Sequence, residues 1–378
     1  MLTAAQPQDV AADRDERLMA ATIALGRRQL GLTAPNPAVG ALVVRDGVIV
    51  GRGATRKGGR PHAETEALAQ AGELARGATL YVSLEPCAHF GVTPPCAQAT
   101  ITAGIARVVS ALADPDPRVA GQGHRMMREA GVEVVVGVGA AQARRAHLGH
   151  ILRVTEGRPQ VTLKLAETAD GFAAGGPHDR RLHITGIAAN NYVQMLRATH
   201  DAIMVGIGTV LADDPLLTVR LPGLDDRQPL RVVLDSSLQL PLRSRLVTTA
   251  AEVPVLVICA ADADAAAEAA LVQAGITVVR VARDDNGHLD LAAALHVLAG
   301  RGVTRVFSEG GPQVAGRLIG LGLADECILL TAPKPFARDG VASLSETARR
   351  ELEDGRHYRL VEDGFSGVDR LRRYEHIS

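Results

Sequence analysis

PHAETEALAQAGELARGATLYVSLEPCAHFGVTPPC, residues 61–96, decides how the first half of this chain is read. It opens on His62 and Glu64 and closes on Cys87 and Cys96. One imidazole and two thiolates are borderline-to-soft donors that suit Zn²⁺, and three protein ligands leave a fourth position for water. Glu64 lies too close to His62 to be a comfortable fourth ligand, but it is placed to move protons for a metal-held water. A purely structural zinc site wants four protein ligands, and no further Cys lies nearby. His89, inside the Cys87–Cys96 loop, reads as a loop or substrate contact.

Residues 62–76 read as a helix with Ala67, Leu68, Ala71 and Leu74 on one side, so His62 and Glu64 fall in its first turn. A strand over 78–84 delivers Cys87. Pro94-Pro95 suits the start of a helix from Cys96 to about Ala103, and a helix N-terminus favours the thiolate. Upstream, residues 1–12 read as a loose tail and 13–30 as a helix ended by Gly31. The proline-bracketed loop Ala34-Pro35-Asn36-Pro37-Ala38-Val39-Gly40 follows. Asn36 is there either to hold its own turn or to present an amide to the edge of a heterocycle. Val39–Val44 and Val48–Val50 flank Asp46-Gly47, a hairpin signal. The Gly-rich basic loop 52–60 is of a kind usually just solvated, but it abuts His62 and so suggests a phosphate-bearing substrate. Strands over 105–112 and 132–138 and a helix over 121–130 complete a small α/β sandwich.

The length, 378 residues, favours two domains. Hydrophobic residues make up 47% and charged ones 22%, so real cores can form, built from Ala, Val, Leu and Ile because aromatics are only 2%. A net charge of −1 with no basic block argues against a nucleic-acid partner. Neither a signal peptide nor a membrane span is legible. Two of the four Cys sit in the metal pattern, and Cys259 and Cys327 lie in apolar runs where an inert buried thiol is expected. This usage is that of a cytoplasmic protein.

The domain boundary falls near 150–158: a first, zinc-dependent domain over 13–150, a linker over 151–158 and a second domain over 159–378. Beyond Pro159 the sequence alternates again. Strand-like runs are Ala202–Val205, Leu230–Leu234, Val255–Ile258, Ile276–Val281, Val303–Phe307 and Cys327–Thr331, and helical runs are 187–199, 263–274, 289–300 and 312–321, a doubly wound α/β pattern. Three patches stand out: Lys164-Leu165-Ala166 into Asp170-Gly171, Gly206-Ile207-Gly208 through Arg220, and Ser308-Glu309-Gly310-Gly311-Pro312-Gln313. The last follows an apolar strand and opens a helix, where small residues and free N–H groups can receive phosphate, although a plain tight turn reads as well.

Deaminases acting on cytidine or tRNA adenosine usually carry two residues between their two Cys, whereas this chain has eight. With Asn36-Pro37-Ala38-Val39-Gly40 and His62-Ala63-Glu64, that longer loop resembles the deaminase half of the bifunctional riboflavin-biosynthesis deaminase/reductases. The three later patches resemble the reductase half, which is similar to dihydrofolate reductase in fold. The resemblance implies a cytidine-deaminase-like α/β/α sandwich followed by a dihydrofolate-reductase-like α/β domain. It implies zinc on His62, Cys87 and Cys96, Glu64 as proton shuttle and Asn36 on the pyrimidine. It implies NADPH contacts at Ala166, His183, Thr209, Asp213, Ser236 and the run Gly311, Pro312, Gln313, Val314, Ala315, Gly316 and Arg317. Substrate contacts are implied at Arg181, Arg197, Leu217, Arg220 and Glu309, the arginines suiting a ribose phosphate. The family carries a Ser-x-Trp-Ile-Thr-like run where this chain has Arg181-Leu182-His183-Ile184-Thr185, so His183 replaces a Trp and Arg181 a Ser. The implied reactions are hydrolytic deamination of 2,5-diamino-6-(5-phosphoribosylamino)pyrimidin-4-one, a small molecule, and NADPH-dependent reduction of the ribosyl chain. A homo-oligomer is expected.

Overall fold

Side-chain alternation on the strands sets the layers of the first half. In β1 (Gly40–Arg45), Ala41 and Val43 enter one core while Leu42 and Val44 enter another on the opposite face. Leu80 and Val82 of β3 (Thr79–Val82) join the first core, and Tyr81 joins the second. A sheet with both faces apolar must be covered on both sides. Helices α2 (Ala63–Ala71), α3 (Cys96–Thr102) and α4 (Gln122–Glu129) lie on one face, and α1 (Pro7–Arg27) and α5 (Ala140–Thr155) on the other. With β2 (Val48–Ala54), β4 (Arg107–Ser110) and β5 (Glu133–Val136) the strand order is β2-β1-β3-β4-β5. β1 runs antiparallel to β2 and β3, and β3, β4 and β5 are mutually parallel.

The computed structural model describes residues 7–89, 94–116, 120–176, 179 and 182–377. It divides into Met1–Gly157 and Arg158–Ser378. Helix α1 begins at Pro7, inside the stretch read as a tail, and α5 continues to Thr155, inside the stretch read as a linker. The helix read over 62–76 stops at Ala71, because Gly72 takes φ 54°, and a 3₁₀ turn over Gly72–Ala75 leaves Leu74 exposed.

The second unit is built on a nine-stranded sheet. Its strands are β6 (Gln160–Glu167), β8 (Ala202–Gly206), β9 (Leu230–Leu234), β10 (Val255–Ala260), β11 (Thr277–Val281), β12 (Arg305–Ser308), β13 (Glu326–Thr331), β15 (Tyr358–Ser366) and β16 (Asp369–His376), in the order β11-β10-β9-β8-β12-β6-β13-β16-β15. The strands from β11 to β13 are parallel, and β16 and β15 add an antiparallel hairpin at one edge. A separate two-stranded pair joins β7 (Phe172–Ala174) to β14 (Val341–Ala342). Helices α6 (Ile187–Ala198), α7 (Ile207–Asp213), α8 (Arg245–Thr248), α9 (Ala265–Gln273), α10 (Leu291–Gly300), α11 (Pro312–Gly320) and α12 (Glu346–Glu353) complete the unit. Their starts are written in the sequence: Asp264, Asp290 and Ser345 each accept a backbone N–H in the first turn of α9, α10 and α12. Cores of Val, Leu, Ile and Ala fill both faces of this sheet. Among the described residues no helix is long and apolar enough to cross a membrane.

Candidate functional site

Three elements of the first unit converge on one point. His62 is the N-cap residue of α2, Cys87 follows the end of β3 through Glu85-Pro86, and Cys96 is the first residue of α3. Helix α2 reaches its position because Gly53 of β2 has no side chain: a Cβ there would lie 2.1 Å from the Ala63 carbonyl oxygen. His62 Nδ1 lies 3.7 Å from Cys87 Sγ and 3.3 Å from Cys96 Sγ, and one donor atom from each residue lies within 4.8 Å of the others. The Cys96 backbone N–H donates to Cys87 Sγ at 3.3 Å, a fixed dipole that favours sulfur as thiolate.

The electrostatics of this cluster favour a cation. The Cys96 thiol beside Cys87 pulls Cys87 down to about 4, while Cys87 and burial hold Cys96 far above the ordinary thiol range. Two thiolates at this separation repel each other, and a divalent cation relieves that repulsion, so the donor set fits zinc. Glu64 is only 3% exposed. Burial, then the charge of Cys87, raises it to about 7. A carboxyl group poised there exchanges protons readily.

A cavity of about 280 Å³ opens beside these residues. His62, Glu64, Cys87, Asn36, Arg60 and His89 line it, and so do Asp114, Asp116, His150 and Arg153, which the motifs did not reveal. The Asn36 side chain bonds the basic loop and not its own turn. Its Nδ2 donates to the Gly59 carbonyl at 2.9 Å, which holds the basic loop, while the residue faces the cavity. Asp114 and Asp116 are carried in by a segment strapped to the Cys87 strand. Glu85, 4% exposed, accepts the backbone N–H of Asp114 at 3.2 Å, Gly121 at 2.9 Å and His124 at 3.1 Å. Hydrogen bonds to a buried charged group are worth about 1.5–3 kcal/mol each, so this strap is strong. Gly123 allows the close approach, since a Cβ there would lie 2.0 Å from the Pro86 oxygen.

In the second unit the parallel order β9-β8-β12-β6 brings four strand ends together. Ala166 is the last residue but one of β6, Gly206 leads from β8 into α7, Ser236 follows β9, and Ser308-Glu309-Gly310-Gly311 leads from β12 into α11. Crevices at the carboxyl ends of parallel strands are where α/β sheets bind ligands. A Cβ on Gly311 would stand 3.5 Å from Thr209 Oγ1, so the starts of α7 and α11 face one cleft. The Ser308 hydroxyl is buried with no partner among the described residues. A backbone-lined cradle with N–H groups at a helix start fits a dinucleotide phosphate.

Other expected positions are spent differently. Arg197, 8% exposed, gives Nε to Glu309 Oε1 at 2.6 Å, Nη2 to Oε2 at 3.0 Å and Nη1 to the Thr218 carbonyl at 3.0 Å. Its fork is therefore occupied by the Glu309 carboxylate. Leu217 takes φ 52° and buries its side chain in the core. The helical period turns Ala315 into the sheet core, and Arg317 binds Asp284 at 2.7 Å and the Leu289 carbonyl at 2.8 Å. These contacts leave the start of α11, beside Thr209, as the uncommitted part of the 311–317 run. Pro312 is the first residue of α11 after the N-cap Gly311, Gln313 is exposed, Val314 packs on the core, and Gly316 lies by Ala348. Arg220 is exposed, with Nη1 3.3 Å from the Thr218 carbonyl. Asp213 is half-buried at the end of α7 and His183 is exposed. Arg181 lies outside the described residues.

Residues 12–112 match the cytidine and deoxycytidylate deaminase zinc-binding region, and residues 159–362 match the RibD C-terminal domain. The riboflavin biosynthesis protein RibD of Escherichia coli K12 is 37% identical over 94% of this chain and 98% of its own. That of Aquifex aeolicus is 38% identical over 90% of this chain and 92% of its own. The chain belongs to the RibD family. A solved Acinetobacter baumannii RibD has a TM-score of 0.85 at 34% identity, covering 97% of this chain and 100% of that one. The Thermotoga maritima diaminohydroxyphosphoribosylaminopyrimidine deaminase/5-amino-6-(5-phosphoribosylamino)uracil reductase scores 0.82 at 32% identity with the same coverage. RibD proteins are the bifunctional deaminase/reductases of riboflavin biosynthesis, and both parts are present here, a zinc-binding deaminase domain and an NADPH-using reductase domain.

Proposed function

We propose that this protein deaminates 2,5-diamino-6-(5-phosphoribosylamino)pyrimidin-4-one at its first site and reduces the ribosyl chain of the resulting uracil at its second. The observation that carries the reading is the His62, Cys87 and Cys96 donor set, with its atoms within 4.8 Å of one another, beside the buried Glu64. His62 Nδ1 and the two sulfurs would hold zinc, and zinc supplies a Lewis acid that makes water acidic near neutral pH. Glu64 carries a proton from the attacking water to the departing amine, which leaves as ammonia. Asn36, Asp114 and Asp116 orient the pyrimidine on the cavity wall, and Arg60 and Arg153 provide positive charge for its phosphate.

At the second site the starts of α7 and α11 hold NADPH by backbone N–H groups and by Thr209. Ala166 and Ser236 border the same cleft. NADPH supplies the hydride, and the protein contributes position and electrostatics. The Arg197–Glu309 pair orders the substrate side of the cleft, with Arg220 nearby as the exposed cation for phosphate.

The test is to follow the pyrimidine by mass spectrometry with and without NADPH. Without NADPH the deaminated, unreduced uracil should accumulate with stoichiometric ammonia. With NADPH it should be consumed to the ribityl product. Reduction proceeding before any deamination would refute the assigned order, and no ammonia at all would refute the first site.

A further inference from the structure

His150 has no part in the scheme above, yet it lines the same cavity from α5. Its neighbour one turn back, His147, is buried with Nε2 3.1 Å from Ser83 Oγ, and burial pushes His147 down to about 4, so that ring is neutral. The His150 side chain is 10% exposed, and its Nε2 lies 3.2 Å from Asp114 Oδ1. An ionised carboxylate only accepts, so the hydrogen of this contact belongs to Nε2. His150 Nδ1 is buried with no partner among the described residues. An unpartnered lone pair there costs less than a stranded N–H, which agrees with the hydrogen on Nε2.

Asp114 is fixed from several sides. Its backbone N–H goes to Glu85 Oε2 at 3.2 Å, and its Oδ1 accepts from Asp116 N at 2.9 Å as well as from His150. Asp114 lines the cavity with Glu64, and neither of those two contacts takes its Oδ2. A carboxylate turns easily about its terminal bond, so two donors on one oxygen fix where the other oxygen points.

We infer that His150 is a positioning residue of the deaminase pocket: by donating to Asp114 Oδ1 it aims Oδ2 at the ring N–H and amino donors of the aminopyrimidinone. This rests on the proposed reading of the cavity as the pyrimidine site. His150 acts on recognition and not on the proton carried by Glu64. Its removal therefore raises KM and spares kcat.

The experiment uses the full-length, zinc-loaded protein and ammonia release from 2,5-diamino-6-(5-phosphoribosylamino)pyrimidin-4-one. His150→Phe should raise KM about tenfold, the worth of one hydrogen bond to a charged group, with kcat within about twofold and zinc content unchanged. His150→Gln, whose amide can donate to the same oxygen, should restore most of that loss. In an Asp114→Asn background His150→Phe should add little, since both act through one contact. A wild-type KM in His150→Phe, a Gln variant as impaired as the Phe variant, or a fall in zinc content would overturn the role of His150. A wild-type KM in Asp114→Asn alone would remove the assignment of Asp114 to the substrate, and the proposal with it.

Discussion

The two units build their sites from different materials. In the first, the cluster is made of side chains drawn from a stretch of 36 residues, His62 to Cys96 with Glu64 between them and Pro61 at its start. In the second, the cleft is made largely of main chain at the ends of β6, β8, β9 and β12, which are scattered from Gln160 to Ser308 and meet only through sheet order. Metal-assisted hydrolysis needs particular elements, sulfur and imidazole nitrogen, so it constrains residue type. Hydride transfer from a bound cofactor needs shape and free N–H groups, so it constrains mainly the absence of side chains. The contrast predicts that the first site fails through loss of functional groups and the second through intrusion of atoms.

Glu64→Gln gives the largest expected effect. Deamination should fall by roughly 10²–10⁴, the usual worth of a general acid–base group. Zinc content and NADPH oxidation with added deaminated intermediate should stay unchanged. Equal loss of both activities in folded protein would erase the distinction between the sites.

Glu309→Gln comes next, and it strikes a side chain in the unit where backbone dominates. It leaves Arg197 buried beside a neutral amide, and breaking such a pair costs about 3–5 kcal/mol. Of the two units, only the second should unfold more easily, and reduction should weaken with it because the pair orders the substrate side of that cleft. Acid adds a signed check. Burial would raise the Glu309 carboxyl, but the charge and hydrogen bonds of Arg197 bring it below its ordinary value of 4.5. This contribution is therefore full above about pH 4.5 and is lost as pH falls through the lower folded value. The Gln variant should lack that part of the acid dependence in a pH series of denaturant melts.

Gly311→Val should act more mildly. Its φ of −67° suits any residue, and the new side chain meets Thr209 at ordinary contact distance, so the fold is spared. The cleft is narrowed, and KM for NADPH should rise about tenfold or more. Deamination should not respond. An unchanged KM would place the cofactor elsewhere.

The same contrast explains what the sequence could and could not disclose. The hairpin at Asp46-Gly47 is legible because both residues adopt positive φ there, which Asp and Gly tolerate best. Helix α3 is legible because Pro94-Pro95 can only precede it. The hydrophobic strands of the second unit are legible because a parallel sheet covered on both faces makes them apolar throughout. The C-terminal hairpin β15–β16 escapes notice for the opposite reason. Arg370–Asp363 at 2.7 Å and Arg373–Glu362 at 3.0 Å pair charges across the strands, so no apolar alternation marks them. Asp114, Asp116 and His150 are invisible as motifs because only the Glu85 strap and the packing of α5 bring them to the cavity. Arg197 reads as a phosphate ligand from its residue type, yet its partner Glu309 lies 112 residues away and only the fold shows the fork already filled.

The most direct test is zinc content measured by elemental analysis on Cys96→Ser beside the unsubstituted protein, with ammonia release and NADPH oxidation assayed on the same preparations. The account predicts about one zinc per unsubstituted chain. In the folded variant it predicts little zinc, deamination at background and reduction of supplied intermediate at the unsubstituted rate. A metal-free protein that released ammonia at full speed would contradict it.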